Sequence, residues 1–323
     1  MLKDNYLREF KYLRLSVTEK CNFRCNYCLP NGYKARRSQY LNLQEITNLA
    51  FAFKELGIEK IRLTGGEPTL RPDLMPIIRT LKETVGIPQV ALTTNGFRLS
   101  QDIEQLREAG LDSLNISMDS LQKDRFKNIC GMDRCESIKK TIDRALGLGF
   151  SSLKLNCVLL KDQNDDEFFQ FLEFVKSRDV TIRFIELMRT GGNADYFSKH
   201  HLAVDSFQHK LLDLGWRQCP TSFAGGPAKE FFLCASRGKV GFISPYQKDF
   251  CANCNRLRVS SLGGLRLCLF GNGDVSLRDL LQVSDDRERL KERICGALRI
   301  KPRSHGLNDE LFGDLESLSA IGG

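Results

Sequence analysis

Six short aliphatic segments recur along the first two thirds of the chain, and helix-like stretches separate most of them. The strand-like segments are residues 12–18, 60–66, 89–96, 113–119, 152–160 and 181–187. The amphipathic stretches between them are residues 43–56, 102–109, 137–148 and 165–177. Asn42 and Asn164 stand ahead of two of these stretches as predicted helix caps. Strands that alternate with helices predict βαβ units and a parallel sheet.

Each predicted strand combines one apolar face with one polar face. In the first strand Leu13 and Leu15 share one face, whereas Arg14 and Ser16 share the other. A buried parallel strand normally reads as a continuous hydrophobic run, and an ordinary (β/α)8 barrel fills its interior with aliphatic side chains. Unpaired charges in that interior would cost several kcal/mol per ion. We therefore predict an α/β fold: a partial (β/α)6 TIM-type barrel, open along one side, around a polar, anionic ligand.

The pattern changes near residue 217. The elements predicted beyond this point are two strands at 228–234 and 239–245 and a charged helix at 284–298. We predict two domains from this change. Residues 1–216 form the partial barrel, and residues 217–323 form a C-terminal α+β extension that covers the open side and ends in a Gly-Gly tail.

Three of the twelve cysteines lie close together directly after the first strand. Cys21, Cys25 and Cys28 have the spacing C-x3-C-x2-C, in a loop at the carboxyl end of the sheet, where active sites of βα barrels lie. Structural zinc sites are closed by four protein ligands, whereas a four-iron cluster takes one cysteine thiolate per iron. A triplet therefore suits a cluster with one iron open to a ligand. A zinc knuckle with a distant fourth ligand is the alternative.

A second triplet lies in the C-terminal region. Cys251, Cys254 and Cys268 have the spacing C-x2-C-x13-C, and Arg256 and Arg258 lie between the last two cysteines. Zinc is again the alternative, although the histidine closest in sequence, at position 305, is far along the chain. Cations beside a cluster with an open iron indicate an anionic substrate at that iron.

The ends of the second and third strands add features at the same rim. Residues 65–68 (Gly-Gly-Glu-Pro) permit close backbone approach, and Glu67 offers an acceptor for a cation; residues 93–96 (Thr-Thr-Asn-Gly) end the third strand. The inward strand faces carry cations that we group as a polyphosphate cradle, because guanidinium groups bind phosphate in a bidentate manner. Its members are Arg14, Lys60, Arg62, Lys154, Arg183, Arg256 and Arg258. Ion pairs that only stabilise the fold are the alternative for any one of them.

The sequence CNFRCNYC at residues 21–28, followed by GGE at 65–67, resembles the signature of the radical S-adenosylmethionine (radical SAM) superfamily. The resemblance implies that the first triplet holds a catalytic 4Fe-4S cluster. It implies that the methionine moiety of S-adenosylmethionine chelates the fourth iron and that the GGE motif holds its amino group. Reduction of the sulfonium would then release a 5′-deoxyadenosyl radical.

Over nearly its whole length the chain resembles the MoaA family, the GTP 3′,8-cyclases of molybdenum cofactor biosynthesis. The matching segments are CNFRCNYC, IRLTGGEPTLR, TTNG, LNISMDSL, RFIELM, VGFISP, FCANCNRLR and the terminal IGG. Residues 303–317 match loosely, and Leu318 stands where the family often has Met. The resemblance implies two 4Fe-4S clusters, one on each triplet, and a guanine base bound at the open iron of the second.

The same resemblance assigns binding residues by motif. S-adenosylmethionine would contact Tyr27, Gly66, Ser117 and Met188. GTP would contact Arg14, Arg62, Thr93, Lys154, Arg256, Leu257 and Arg258. The radical would take hydrogen from ribose C3′, and the resulting carbon radical would attack guanine C8 to give 3′,8-cyclo-7,8-dihydro-GTP. Implied partners are GTP, an external electron donor, a downstream cyclic pyranopterin monophosphate synthase and a second copy of the chain in a homodimer.

Charge and hydropathy argue against nucleic-acid-binding, secreted and membrane-spanning proteins. The net charge is +8, and no basic run is interleaved with aromatic residues, so we expect no nucleic acid partner. No apolar run approaches the roughly 20 residues that span a bilayer, and the first residues lack the apolar core of a secretion signal. We therefore expect a cytoplasmic protein without membrane contact. Two rivals remain: a radical SAM peptide-modifying enzyme with an auxiliary cluster, and a zinc-stabilised, nonenzymatic nucleic-acid-binding protein.

Overall fold

A computed structural model of the chain describes residues 1–34, 39–220, 226–309, 311–314 and 318–321. All six strands predicted for the barrel are present, and each ends one or two residues earlier than predicted. They are β1 (Tyr12–Ser16), β2 (Lys60–Thr64), β3 (Gln89–Thr94), β4 (Ser113–Ser117), β5 (Ser152–Leu159) and β6 (Thr181–Glu186).

Helices return the chain between these strands. They are α1 (Leu43–Glu55), α2 (Leu74–Arg79), α3 (Leu99–Glu108), α4 (Lys123–Cys130), α5 (Cys135–Gly147) and α6 (Phe168–Lys176). Sequence analysis missed α2 and α4, which are too short to show a clear apolar stripe. Asn42 caps α1 through a capping box with Glu45, as predicted. Asn164 is the N-cap residue of a 3-10 turn, Asp165–Glu167, that leads into α6, but its side chain makes no cap bond: it donates to Asp119 O and accepts from Leu160 N.

The later part of the chain adds strands to both edges of the barrel sheet. Its elements are α7 (Ala194–His200), α8 (Asp205–Asp213), β7 (Arg217–Gln218), β8 (Lys229–Phe232), β9 (Lys239–Ile243), β10 (Arg256–Val259), β11 (Gly264–Arg266), β12 (Val275–Ser276) and α9 (Arg287–Leu298). The sheet order is β12-β11-β10-β1-β2-β3-β4-β5-β6-β9-β8-β7. Because β10 runs parallel to β1 and β9 runs parallel to β6, the C-terminal region extends the barrel wall itself. Of these strands, the sequence predicted β8 and β9 and missed β10.

The predicted alternation of faces is confirmed. Leu13 and Leu15 of β1 are fully buried in the apolar layer between the sheet and the helices. Burying a side chain of this size contributes about 1.5–3 kcal/mol, which fixes the register. In that register Arg14 lies beside Arg62 of β2 and Arg258 of β10, so polar side chains form rows across the interior.

The end of the chain returns to the barrel. A 3-10 turn, Leu318–Ile321, brings the backbone amides of Leu318 and Ser319 against the sulfur of Cys28. Gly322 and Gly323, which form the expected Gly-Gly tail, lie outside the described residues. Within the described ranges, no helix combines the length and the apolar character needed to cross a bilayer.

Candidate active site

The loop that carries the first triplet is fixed to the rim of the barrel by the turn after β2. Gly66 N donates to Thr18 O at 2.9 Å, and Glu67 N donates to Lys20 O at 2.6 Å. A Cβ atom at position 66 would lie 2.3 Å from Lys20 O, so this approach requires glycine. The turn therefore sets the position of the chain just before Cys21.

Phe23 anchors the same loop from within. Its buried ring packs edge-on against Phe97 and Phe126, with ring centroids 6.4 and 6.2 Å apart. The backbone amides of Arg24 and Asn26 each donate at 3.0 Å to carbonyl groups at the C-terminal end of α4. The three thiols are thus held at the carboxyl end of β1, the end of the sheet that the sequence indicated.

Glu67 has a structural role at this rim. Its buried carboxylate accepts from Thr69 N at 3.0 Å and Thr69 Oγ1 at 2.5 Å, and also from Thr94 Oγ1 at 2.7 Å and Asn95 N at 2.6 Å. Burial raises the pKa of the Glu67 carboxyl group. Three of these donors bind Oε1 and one binds Oε2, so the role of Glu67 as an acceptor for a cation stays a prediction. The carboxylate joins the ends of β2 and β3.

Tyr27 and Met188, both predicted to contact S-adenosylmethionine, are joined through Asn193. The amide of Asn193 donates to the carbonyl of Tyr27 at 3.3 Å and to that of Met188 at 3.0 Å. The Tyr27 hydroxyl donates to buried Asp119 at 2.8 Å. Burial, together with the charge of Asp119, raises the pKa of Tyr27 well above its usual value. Ser117 ends β4 two positions before Asp119, so these residues lie along one stretch of the rim.

A cavity of about 370 Å³ lies inside the barrel. This volume falls within the roughly 300–1,000 Å³ typical of ligand sites. All seven members of the polyphosphate cradle line it, and so do Met188 and the second triplet, Cys251, Cys254 and Cys268. The structure therefore brings the inward cations and one cysteine triplet to a single space.

The cradle cations perturb one another. Burial and the charge of Arg62 lower the pKa of Lys60 to about 8. The same two causes lower the pKa of Arg183 to about 9. Burial, with the charges of two neighbouring arginines, also lowers the pKa of Arg258. An array whose members disfavour each other's charge gains most from a bound polyanion.

Protein groups balance part of this charge. Lys154 pairs with Glu230 at 2.6 Å, and Arg183 donates to Asn156 Oδ1 at 2.7 Å. The ion-pair alternative raised from the sequence therefore applies to Lys154. A ligand phosphate would compete with Glu230 for this lysine.

Basic groups surround the second triplet. Burial alone would raise the pKa of Cys254, but the charges of Arg256 and Lys301 outweigh it, and the pKa is lowered. Lys301 is only 4% exposed. Arg8 donates to Cys251 O at 3.0 Å and holds this loop against the start of the chain. Thiolate is the form of cysteine that binds metals, so the surroundings of Cys254 suit a metal centre.

The number and kind of ligands bear on the choice between a cluster and a single zinc ion. Thiolates around one tetrahedral zinc, with Zn–S bonds of about 2.3 Å, lie about 3.8 Å apart. In the described part of the chain, the one Cys, His, Asp or Glu group with all donor atoms within 4.8 Å is Cys25, Asp119 and Cys130. Neither triplet meets that limit. Each triplet alone offers three thiols, one fewer than a closed zinc site needs, whereas a four-iron cube takes one cysteine on each of three irons.

Sequence reasoning missed several residues of the cavity wall. Tyr12 and Asn156 line the cavity two positions from Arg14 and Lys154, on the same strands. The period-two pattern of a strand could have found them. Lys301 reaches the cavity from the irregular segment after α9, where no local pattern signals it.

Two residues predicted to contact GTP lie outside the lining. Leu257 is fully buried in the hydrophobic core, on the face of β10 opposite to Arg256 and Arg258. Its side chain is therefore turned away from the cavity, and only its backbone remains for a contact. The hydroxyl of Thr93 accepts from Arg62 Nη1 at 3.3 Å, so Thr93 acts on the cavity through this arginine.

Parallel barrel strands, a cysteine triplet after the first strand and a polar interior define a protein of the radical SAM class. Residues 15–175 match the family described as "Radical SAM superfamily", and residues 180–307 match "Molybdenum Cofactor Synthesis C". A solved structure of Streptococcus suis SuiB bound to S-adenosylmethionine has a TM-score of 0.65 at 12% identity. The match covers 86% of this chain and 65% of that chain, and it shows a common fold.

Curated relatives align with the chain over its full length. The GTP 3′,8-cyclase of Stenotrophomonas maltophilia strain K279a is 50% identical over 100% of this chain and 99% of that protein. The enzymes of the same name from Haemophilus influenzae strain PittGG and Yersinia pestis are 47% and 46% identical. Each covers 100% of this chain, and the chain covers 96% and 99% of them. The chain belongs to the GTP 3′,8-cyclase family of radical SAM proteins.

Proposed function

We propose that this protein converts GTP to 3′,8-cyclo-7,8-dihydro-GTP, the first step of molybdopterin biosynthesis. One observation carries the proposal: a single cavity is lined by both the polyphosphate cradle and the second triplet. The cradle suits a triphosphate, and the thiols suit a cluster whose open iron takes a nucleobase. One nucleoside triphosphate satisfies both. The full-length similarity to GTP 3′,8-cyclases supports guanine as that base.

We propose that each triplet holds one 4Fe-4S cluster through its three thiolates. When bound, the cluster on the first triplet supplies the electron that splits S-adenosylmethionine into methionine and a 5′-deoxyadenosyl radical. The chain itself binds and orients S-adenosylmethionine at the rim. The residues in this role are Tyr27, Gly66, Ser117 and Met188. The amide of Asn193, which joins the carbonyls of Tyr27 and Met188, supports this arrangement.

The cradle would orient the triphosphate so that ribose C3′ faces the S-adenosylmethionine site. The GTP contacts proposed are Arg14, Arg62, Thr93, Lys154, Arg256, Leu257 and Arg258, with Leu257 acting through its backbone and Thr93 through Arg62. Orientation of this kind is the main contribution that a protein makes to a radical reaction.

The same proposal includes the electron donor, the location, the oligomeric state and the domain division of the protein. The reaction needs an external electron donor, because the chain's own side chains supply no electrons. We propose a cytoplasmic homodimer whose product passes to a cyclic pyranopterin monophosphate synthase. We also propose the division into residues 1–216 and 217–323, supported by the change of sequence pattern near residue 217.

Anaerobic incubation of the reconstituted protein with S-adenosylmethionine, GTP and dithionite, followed by mass spectrometry, tests the function. A product isomeric with GTP, together with 5′-deoxyadenosine, is the expected result. 5′-Deoxyadenosine with intact GTP would retain radical chemistry and favour the peptide-modifying alternative. Protein that carries zinc without iron, and forms neither product, would contradict the assignment of both triplets.

A further inference from the structure

Tyr12 is the one side chain other than Lys or Arg in two rows of inward side chains. Across β10, β1 and β2 the outer row is Arg256, Tyr12 and Lys60, and the next row is Arg258, Arg14 and Arg62. All of these residues line the cavity. Tyr12 therefore lies in the middle of its row, between two cations and directly beside a row of three more.

Direct contacts join Tyr12 to these cations. Its hydroxyl oxygen accepts from Arg62 Nε at 2.5 Å, and Arg14 also hydrogen-bonds to it. Lys60 Nζ lies 5.6 Å from the ring centroid. Tyr12 is only 8% exposed, so water screens these charges weakly. Burial alone would raise the pKa of Tyr12, but the surrounding positive charges outweigh it and lower it to about 7.

We propose that Tyr12 is a positioning residue of the triphosphate site, whose hydroxyl oxygen takes the place of a phosphate oxygen between Arg14 and Arg62 in the free protein. The inference rests on GTP as the substrate. In the free protein this oxygen keeps the two guanidinium groups aligned in their binding positions. Such alignment reduces the ordering that a ligand must impose when it binds.

Arrival of the triphosphate changes the protonation of Tyr12. Phosphate oxygens bind the guanidinium groups that the phenolic oxygen held, and two anions cannot share them at close range. Tyr12 therefore takes up one proton from solvent and becomes neutral, with no other bond formed or broken. GTP binding is thus linked to proton uptake, and its affinity falls as pH rises above 7.

Other titratable groups near Tyr12 must be separated from its effect. Those facing it are Arg14 on its own strand, Lys60 and Arg62 on β2, and Arg256 and Arg258 on β10, with Lys154, Arg183 and Glu230 further across the cavity. Lys60, with its pKa of about 8, also takes up protons when phosphate binds. A Tyr12→Phe variant retains Lys60 and all the arginines, but it loses the charge by which ionised Tyr12 raises the pKa of Lys60. The difference between variant and unaltered protein therefore reports the hydroxyl group together with its effect on Lys60.

The test compares Tyr12→Phe with the unaltered protein, both carrying their clusters under anaerobic conditions. Isothermal titration calorimetry of GTP at pH 8, in two buffers of different ionisation enthalpy, counts the protons taken up. The unaltered protein should take up more protons than the variant, by at most about one, because Lys60 in the variant takes up part of the difference. From pH 7 to pH 8 its dissociation constant should rise about fivefold relative to the variant, because the protonated fraction of Tyr12 falls from about one half to about one tenth.

Controls separate this role from a general structural effect. Tyr6→Phe removes a hydroxyl group from a side chain that is 48% exposed, and it should behave as the unaltered protein. S-adenosylmethionine should bind the Tyr12→Phe protein with unaltered affinity, which shows that the variant is folded. If the variant does not fold, the unaltered protein alone decides, because GTP added at pH 8 should remove the ultraviolet absorbance of one ionised tyrosine.

The outcomes are distinct. Equal proton uptake and equal pH dependence in the variant and the unaltered protein overturn the role of Tyr12, and so does a tyrosinate absorbance that GTP leaves unchanged. Failure of the unaltered protein to bind GTP at all overturns the proposed function instead.

Discussion

Substitution of Gly66 by alanine tests how the cluster loop is held. A Cβ atom at this position would lie 2.3 Å from Lys20 O and 2.5 Å from Glu19 O, whereas real Cβ atoms essentially never approach closer than 3.0 Å. The turn and the segment before Cys21 must therefore separate by about 0.7 Å. An equal shift would lengthen the hydrogen bond from Glu67 N to Lys20 O from 2.6 Å to about 3.3 Å, beyond the usual range.

This displacement moves a proposed cluster ligand, because Lys20 directly precedes Cys21. Misplacement of about 1 Å at a reacting centre costs about 100-fold in rate. We expect Gly66→Ala to lower 5′-deoxyadenosine formation, with S-adenosylmethionine and dithionite, by about that factor. Iron per chain should fall toward half, because the second triplet is untouched. Chromatography of the nucleosides and elemental analysis of the protein measure the two effects.

Gly147→Ala is the matched control. Gly147 ends α5, and nothing lies within 4 Å of a Cβ added there. Alanine in a helix is favoured over glycine by about 0.5–1 kcal/mol, so this variant should be at least as stable as the unaltered protein, with full iron and full rate. A Gly66→Ala protein that also keeps full iron and full rate would refute the argument that the turn positions Cys21.

Three further predictions concern the cradle, the loop anchor and the second triplet. Arg256→Ala and Arg258→Ala should each raise the dissociation constant for GTP by roughly 10–100-fold, because each removes a hydrogen bond to a charged group. Cleavage of S-adenosylmethionine should continue in both variants. Unaltered GTP affinity in calorimetry would contradict the role of the cradle. Phe23→Ala should destabilise the fold by about 3–5 kcal/mol, and an unchanged denaturant midpoint would show that the ring is no anchor. Cys268→Ala should remove about half of the iron and abolish GTP turnover, while 5′-deoxyadenosine is still formed. Loss of all iron would show that the two triplets do not bind their clusters independently.

The barrel strands could be predicted from the sequence because their signal is local. Leu13 and Leu15 lie in the apolar layer, whereas Tyr12 and Arg14, which alternate with them, line the polar cavity. The spacing of each cysteine triplet is local in the same way. Tyr12 follows the same alternation and lies in the cavity wall. The sequence did not identify it as a site residue, because only charged side chains were considered as ligands.

The misses share one physical cause. Asn164 stands in a local capping motif, but its side chain donates to the carbonyl of Asp119, 45 residues earlier in the chain. A buried polar group takes whichever partners the tertiary fold brings to it, and motif position does not reveal them. The position of β10 was missed for the same reason, since its pairing with β1 depends on chain segments far apart in sequence.

That pairing has a consequence for biogenesis. Tyr12 pairs with Arg256, so roughly 240 residues of chain must be made before β1 gains its outer neighbour. At about 5–20 residues per second, a ribosome takes roughly 12–50 s to cover that distance. Throughout that interval the nascent barrel presents an unpaired strand edge, the kind of surface that invites aggregation and chaperone capture. Addition of β10 to the barrel wall, and with it a complete nucleotide pocket, is therefore an event of the last stage of synthesis.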